Sequence, residues 1–252
     1  MILSRKHTVS IADVFSDEPV PAGGADVIRY NQWSTPLDGF VYPPFHTVVI
    51  DLRQPEADLL AAVDKGTRYE IRRAQREPLE YGVVDLDGGA IRAFCDFYNR
   101  FAVGKGLAPA DPAWLEALAR DGRLVLTQIR REGQVLVWHA YVRDATSAIL
   151  QFSCSQETAD PGLRQVIGRA NRYQHWKDLV YFREQGLEKL DLGGWYGGSE
   201  DQKLLAINKF KEEFGGRIIA VHNGMVGVSW KGKLAVHFLR RRALRRGKLQ
   251  TA

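Results

Sequence analysis

The segment LEKLDLGGWYGG, residues 187–198, is the part of the chain from which we predict the fold. Its first six residues are an apolar strand candidate, and its glycines predict a turn directly after that strand. A helix-like run at residues 163–185 precedes the segment, and a second run at residues 200–213 leads into FKEEFGG, residues 210–216. This order of elements places a cleft at the carboxyl end of a strand, where α/β proteins commonly bind ligands.

Outward from this segment, the spacing of apolar residues predicts the other elements of a main domain. In chain order these are a strand at 81–86, helices at 89–103 and 111–122, strands at 123–130, 134–143 and 147–153, and, after the central segment, strands at 217–221 and 225–230. Runs of antiparallel strands combined with a crossover helix indicate an α/β fold of the α+β type, a mixed sheet covered by helices.

The flanking regions have different patterns. Residues 1–43 are irregular and rich in Pro and Gly, whereas residues 45–52 predict a strand and residues 56–76 a basic helix that is interrupted near Gly66. We therefore predict three parts. An N-terminal extension, residues 1–80, carries a strand and a basic helix and packs on the main domain. The main domain is residues 81–231, and a basic C-terminal tail is residues 232–252.

Composition limits the class of protein. The chain has 252 residues, of which 45% are hydrophobic and 26% charged, which suits a folded protein and argues against global disorder. The net charge is +5, and many of the positive residues lie in the tail, which predicts an anionic partner such as a nucleotide, a phospholipid surface or RNA. A solvated, frayed tail is the alternative. Six of the tail cations lie close together, namely Arg240, Arg241, Arg242, Arg245, Arg246 and Lys248.

The cysteines and the apolar runs bear on location. Cys95 and Cys154 are the only cysteines, so no disulfide framework is expected and a reducing cytoplasm fits. Neither a signal peptide nor a run of about 20 apolar residues is evident. We expect a cytoplasmic protein, and the basic tail leaves open a peripheral contact with an anionic membrane at its inner face.

The order of elements across residues 81–231 resembles the GNAT acyltransferase fold. In that family the fourth strand splays from the fifth, and the gap receives an acyl thioester. The next helix begins with a Gln/Arg-x-x-Gly-x-Gly/Ala turn, whose N–H groups bind the pyrophosphate of coenzyme A. Gln165, Gly168 and Ala170 match that turn, and Arg169 adds a charge. The alternative is that Gly168 lies within the early turns of a packed helix.

This resemblance implies an acyl donor site and no tightly bound cofactor. Gln165, Gly168, Arg169 and Ala170 are the expected donor-binding residues, together with Phe152 and Ser153 on the splayed strand. Backbone N–H groups of that strand, around Gln151–Ser153, would stabilise an oxyanion. Acyl-CoA is the expected co-substrate in this case.

Three further motifs resemble FemABX-type transferases across residues 45–220. They are TRYEIRRA at 67–74, Gly186 followed by LDLGG at 190–194, and FKEEFGG at 210–216. The best-known members of that group move an amino acid from aminoacyl-tRNA to an amine of a peptidoglycan precursor. The chain is short for the group, and we expect it to lack most of the first GNAT-like domain and the coiled-coil arm for tRNA. The donor therefore stays open between aminoacyl-tRNA and acyl-CoA.

The same resemblance places the acceptor. Arg68 and Lys211 would contact its phosphate or sugar, and the turn 193–198 would line the reaction centre, which adds Gly193, Gly194 and Trp195. Arg72 lies four residues after Arg68 on the same helix face, and two such arginines can grip a phosphate or carboxylate. The alternative for the arginines is a solvated face that pairs with Glu70 and Glu77.

Acyl transfer to an amine needs a base, an oxyanion site and a proton for the leaving group. We expect Asp191 or Glu200 to act as the base and Tyr196 to protonate the leaving group or orient the acceptor. The alternatives are that Tyr196 packs as an ordinary aromatic residue and that Asp191 caps a turn. His139 and His175 show no metal-ligand spacing and are expected to be structural. No metal site is predicted.

The sequence therefore predicts an N-acyltransferase that moves an acyl or aminoacyl group onto an amine of a cell-envelope precursor. The expected acceptor is a small or nucleotide-linked molecule, such as an amino sugar or a peptide. The alternative is a catalytically inactive GNAT-like protein that binds RNA or an anionic membrane.

Overall fold

The computed structural model describes residues 2–6, 8–15, 18–20, 23–35, 40–42, 45–87 and 89–245. The chain divides into two compact units. The smaller comprises Met1–Thr47, Gly194–Gly197 and Ile218–Ala252, and the larger comprises Val48–Gly193 and Gly198–Arg217. The predicted division at residues 80 and 231 stays a prediction about domain organisation.

The described residues contain eleven strands, which we number in chain order. They are β1 (Ile2–Lys6), β2 (Val9–Phe15), β3 (Val27–Trp33), β4 (Phe40–Val41), β5 (Phe45–Asp51), β6 (Glu80–Val83), β7 (Leu124–Arg131), β8 (Gln134–Arg143), β9 (Ser147–Ser155), β10 (Lys189–Trp195) and β11 (Arg217–Gly227).

Seven helices lie among the described residues, and several begin where the sequence supplies a capping aspartate. The side chains of Asp64, Asp111, Asp160 and Asp201 each accept a hydrogen bond from the first turn of the helix that follows. The helices are α1 (Glu56–Ala62), α2 (Lys65–Ala74), α3 (Ala90–Lys105), α4 (Pro112–Arg120), α5 (Pro161–Glu184), α6 (Gln202–Glu212) and α7 (Trp230–Arg245).

The larger unit is a mixed sheet covered by helices. Its strands lie in the order β5-β10-β9-β8-β7-β6. The strands β6 to β9 form an antiparallel meander, and β10 joins β9 in parallel after the crossover through α5. The predicted mixed α/β architecture is therefore confirmed.

Alternation along β8 decides which helix covers which face of this sheet. Val137 belongs to a core cluster with Ile167 and Ala170 of α5. The next side chain, Trp138, points the other way and packs edge-on against Phe94 of α3, with ring centroids 5.8 Å apart. Helix α5 therefore covers one face and α3 the opposite one.

The smaller unit has its own strand order, β1-β2-β3-β11, with the short β4 also paired to β11. Strands β2 and β3 are parallel, whereas the β1–β2 and β3–β11 pairs are antiparallel. Helix α7 packs against β2 and β3.

Two sequence expectations at the ends of the chain are wrong. Residues 1–43 are not an irregular lead-in, because β1 to β4 lie there, and the glycines at 23 and 24 fall in the connection between β2 and β3. At the other end the strands expected at 217–221 and 225–230 form one strand, β11, which ends at Gly227, and α7 takes the place of the first part of the tail. Arg246 and Lys248 lie outside the described residues.

The basic helix expected at 56–76 is two helices. Asp64 accepts hydrogen bonds from the N–H groups of Gly66 and Thr67 and so starts α2, which places Gly66 inside the first turn of that helix. The break therefore falls at residues 63–64 and not at the glycine.

Gly215 should be intolerant of any side chain. Its φ is +78°, and an added Cβ would lie 2.8 Å from both the Cβ and the carbonyl oxygen of Ala62. Gly215→Ala should therefore lower the free energy of unfolding by about 2 kcal/mol or more, measured by chemical denaturation.

The matched control is Gly168→Ala, where an added Cβ meets nothing within 4 Å. Since Gly168 lies inside α5, this change should raise stability by about 0.5–1 kcal/mol. Equal stability of the Gly215 variant and the native protein would contradict the packing described here.

Candidate functional site

Strands β9 and β10 pair over only three residues. The paired positions are Lys189 with Ser147, Leu190 with Ala148, and Asp191 with Ile149. Both strands continue past this point, β9 to Ser155 and β10 to Trp195, without further pairing to one another. The two strands thus part at their carboxyl ends, as the resemblance to acyltransferases implies.

A bulge in β9 lies beside the point of parting. Strand β8 pairs Ala140 with Phe152 and Tyr141 with Leu150, so Gln151 is an extra residue on β9. Bulges bend the strand that carries them and are common next to active sites. The bend gives a physical reason why β9 leaves β10.

Asp191 is the last residue of β10 that pairs with β9, and its side chain fixes the conformation of the residues that follow. Its Oδ1 accepts a hydrogen bond of 2.6 Å from the N–H of Gly193. Gly193 has a φ of +77°, and an added Cβ would lie 3.1 Å from the carbonyl oxygen of Leu150. The turn-capping alternative for Asp191 is therefore what the structure shows, and its role as a base stays a prediction.

Lys211, in the last turn of α6, reaches the same place. Its Nζ lies 3.8 Å from the position that a Cβ on Gly193 would occupy. Burial lowers the pKa of Lys211 to about 8, and the nearby carboxylate of Asp191 opposes part of this shift. The side chain is therefore largely an ammonium at pH 7, but it gives up its proton far more readily than an exposed lysine.

The segment that carries Lys211 is held by a second polar cluster. Arg172 of α5 donates to Glu213 at 3.2 Å and lies over the ring of Phe210, 5.1 Å from its centroid. The hydroxyl of Thr67 donates to the same Glu213 oxygen at 2.7 Å. The sequence motifs 67–74 and 210–216 therefore meet in the structure.

A buried polar network that was not predicted from the sequence joins β8 and α5. The Nδ1 atom of His139 lies 2.6 Å from Asp178 Oδ2, and its Nε2 lies 3.1 Å from Asn171 Oδ1. The hydroxyls of Tyr81 and Tyr141 donate to the same carboxylate. The alternation of β8, which turns His139 and Tyr141 to the α5 face, was the available signal.

His175 connects this network with Lys211. Its ring centroid is 4.3 Å from that of His139, and its buried Nδ1 has no hydrogen-bond partner among the described residues. Burial, then the charges of His139, Lys211 and Arg172, hold the pKa of His175 well below its usual range. His175 is therefore neutral at pH 7.

The phosphate-binding turn expected at Gln165–Ala170 does not form. Helix α5 begins earlier, at Pro161, so these residues lie inside it and their N–H groups serve the helix, as the alternative for Gly168 held. Arg169 is buried against Glu77, with Nη2 2.6 Å from Oε1, and Ala170 belongs to the core. A donor-binding role for these residues stays untested, but a backbone cradle is excluded there.

The other expected donor residues lie on β9. The ring of Phe152 packs against Tyr98 at 4.7 Å and Phe94 at 5.8 Å between centroids, while Ser153 is half-buried. Cys154 is buried, and burial raises its pKa to about 12, so its thiolate is disfavoured.

The two expected acceptor arginines are placed differently. One guanidinium nitrogen of Arg68, Nη1, donates to the carbonyl oxygens of Ala61 and Val63 at the end of α1, so this arginine holds a helix terminus. Arg72 is exposed on α2. The structure does not bring either of them into contact with Lys211.

The remaining expected residues lie at the end of β10 and just after it. Gly194 leaves no room for a side chain, because an added Cβ would lie 2.7 Å from the ring of Phe45, and Trp195 packs edge-on against His46. Tyr196 is half-buried, and these three belong to the smaller unit. Glu200 is exposed and belongs to the larger unit.

The larger unit also has an open groove of about 670 Å³ between α3 and the ends of β8 and β9. Aromatic and basic side chains line much of it, including Phe97, Phe101, Trp138, Arg100 and Arg130. None of these residues belongs to a site predicted from the sequence.

Comparison with solved structures identifies the fold. The crystal structure of FemX matches 94% of this chain and 85% of its own, with a TM-score of 0.66 and 12% identity. The chain has a FemX-like fold. The GNAT-like, FemABX-like architecture expected from the sequence is thereby confirmed.

Two further structures resemble the chain. The C-terminal domain of a putative lysylphosphatidylglycerol synthetase from Agrobacterium fabrum matches 86% of this chain and 72% of its own, with a TM-score of 0.55 and 14% identity. The L-PGS structure from Bacillus licheniformis matches 88% and 74%, with a TM-score of 0.50 and 12% identity. No protein-family model and no curated protein matches the sequence.

None of the helices in the described part of the chain combines the length and the apolar character that crossing a membrane requires.

The partly buried ammonium of Lys211 should cost stability. The pKa falls from 10.5 to about 8 in the folded state, so below pH 8 the lysine is charged in both states and the full cost of its burial is present. Lys211→Met should therefore raise the free energy of unfolding at pH 7 by about 2 kcal/mol, after allowance for partial exposure.

The pH dependence has a definite sign. Between pH 8 and 10.5 the folded native protein releases the proton first, so the advantage of the Met variant should shrink over that interval. Chemical denaturation at several pH values measures this, with Lys209→Met, an exposed lysine of the same helix, as the control. A destabilised Lys211 variant at pH 7 would show that Lys211 serves the fold and not a site.

Proposed function

We propose that the protein transfers an aminoacyl or acyl group to an amine of a cell-envelope precursor. The observation that carries this proposal is the parting of β9 and β10 with Lys211 and Asp191 at the split. The fold likeness to FemX and to lysylphosphatidylglycerol synthetases supports an aminoacyl group as cargo and an envelope component as acceptor.

In this mechanism Lys211 acts as an ammonium. The acceptor nitrogen loses a proton, attacks the donor carbonyl and forms a tetrahedral intermediate with a negative oxygen. The ammonium of Lys211 stabilises that charge, and as the carbon–oxygen or carbon–sulfur bond breaks it gives its proton to the leaving group. A pKa of about 8 suits both tasks, because the group is charged at pH 7 and parts easily with its proton.

The other polar residues receive supporting roles. Asp191 holds Gly193 in its left-handed conformation and favours the charged form of Lys211. Glu200 accepts the protons that the acceptor nitrogen loses. Asp191 can accept them instead if its hydrogen bond with the N–H of Gly193 breaks. Tyr196 orients the acceptor. Transfer is direct, and the raised pKa of Cys154 supports the absence of a thiolate step.

The N-terminus of α5 favours an aminoacyl-tRNA donor over acyl-CoA. Pro161 has no N–H group, and the carboxylate of Asp160 already accepts from the N–H of Gly162. A pyrophosphate at this helix end would face that negative charge. We therefore propose that the donor is an aminoacyl ester of tRNA, held away from this helix end.

Transfer assays test the proposal. Purified protein is supplied with labelled aminoacyl-tRNA or acyl-CoA and with nucleotide-linked amino sugars or peptides as acceptors. Lys211→Met should lower kcat/KM by about 100-fold or more, since it removes a charge that acts in the transition state, while the control Lys209→Met keeps full activity.

The pH profile gives a second readout. Because the ammonium form is the active one, kcat/KM should fall as pH rises through about 8. Full transfer by the Lys211 variant would remove Lys211 from the mechanism. Failure of every donor, combined with specific RNA binding, would favour a catalytically inactive binding protein.

A further inference from the structure

Helix α7 presents an exposed apolar stripe. Trp230, Leu234 and Phe238 recur every four residues and so share one face of the helix. Their side chains are 73%, 50% and 59% exposed, although large apolar side chains are normally covered. The opposite face of α7, with Gly232, Ala235 and Val236, is the more covered one, and the helix packs on β2 and β3.

The same outward surface is strongly cationic. Lys231, Lys233, Arg240, Arg241 and Arg242 are all exposed, and α7 contains no acidic residue. The ammonium of Lys231 lies 5.8 Å from the centroid of the Trp230 indole. Aromatic and leucine side chains flanked by Lys and Arg are the pattern of helices that lie in the interface of a membrane.

The orientation of this surface is set by the smaller unit. Asp26 accepts a hydrogen bond from the hydroxyl of Ser229, and that contact is the main reason why the pKa of Asp26 falls to about 2. The Ser229 hydroxyl in turn accepts from the N–H of Gly232, where an added Cβ would collide with the carbonyl oxygen of Asp26. Helix α7 is therefore seated on its unit and not a frayed tail.

We propose that α7 docks on an anionic phospholipid surface through Trp230, Leu234 and Phe238, with the surrounding Lys and Arg side chains at the lipid phosphates. Charge complementarity selects this occupant. A second copy of the chain would bring the same cations against one another, and RNA would leave the apolar stripe without a partner. The inference goes beyond the proposed function and does not depend on it.

Vesicle flotation tests the proposal with the full chain. The protein should bind vesicles of phosphatidylcholine mixed with phosphatidylglycerol, bind pure phosphatidylcholine weakly, and be released by high salt. The variant Trp230→Ser/Leu234→Ser/Phe238→Ser should lose about tenfold or more in vesicle partitioning, and so should Arg240→Gln/Arg241→Gln/Arg242→Gln.

Matched controls remove the same chemistry elsewhere. Val103→Ser/Leu107→Ser removes exposed apolar side chains, and Arg92→Gln/Arg120→Gln removes exposed cations, so both should bind like the native protein. Thermal melts and sedimentation of every variant report folding and oligomeric state.

Three results would overturn the proposal. The native protein fails to bind the anionic vesicles, the triple-serine variant binds them as well as the native protein, or binding is confined to single-stranded RNA and persists in the triple-serine variant. A dimer that disappears in the triple-serine variant, without vesicle binding by the native protein, would assign the stripe to self-association instead.

Discussion

The short pairing between β9 and β10 is the constraint on which the site depends. A parallel pair of this length would normally be bonded to its ends, but here pairing stops at Asp191 and Ile149. The bulge at Gln151 turns β9 away, and the left-handed Gly193 redirects β10. Backbone groups at the end of the sheet are thereby released from the ladder, and a substrate carbonyl needs such donors.

The partial burial of Lys211 and the full burial of His175 cost stability. A lysine with a lowered pKa and a histidine with an orphaned Nδ1 lie together in the larger unit, although burial of either group without full compensation is unfavourable. Nearby, the carboxylate of Asp178 is hydrogen-bonded to three side chains and carries no such cost. A cation with a lowered pKa and an unpartnered histidine nitrogen near the end of a strand are typical of functional sites.

Local patterns predicted much of the larger unit, because most of its helices and strands are determined by residues that are close together in the sequence. The meander β7 to β9 and the helices α3 and α6 depend on short-range signals. The smaller unit escaped prediction for the opposite reason, since β3 pairs with β11 almost two hundred residues later. The buried His139–Asp178 contact was missed for the same reason, as it joins a strand and a helix that are 39 residues apart.

The failed phosphate motif shows why spacing alone is weak evidence for a ligand. Gln165, Gly168 and Ala170 have the expected spacing, but an anion site requires that the N–H groups be the first of the helix. Asp160 and Pro161 start α5 one turn too early, which consumes those donors and puts a carboxylate where a phosphate would lie. Lys211 is stronger evidence for a ligand site. Arg172 contacts both Phe210 and Glu213, which flank it, and its ammonium lies near Gly193, where β9 and β10 separate. In the proposed mechanism the partly buried side chain at the end of β10 is a cation, which suits a developing oxyanion.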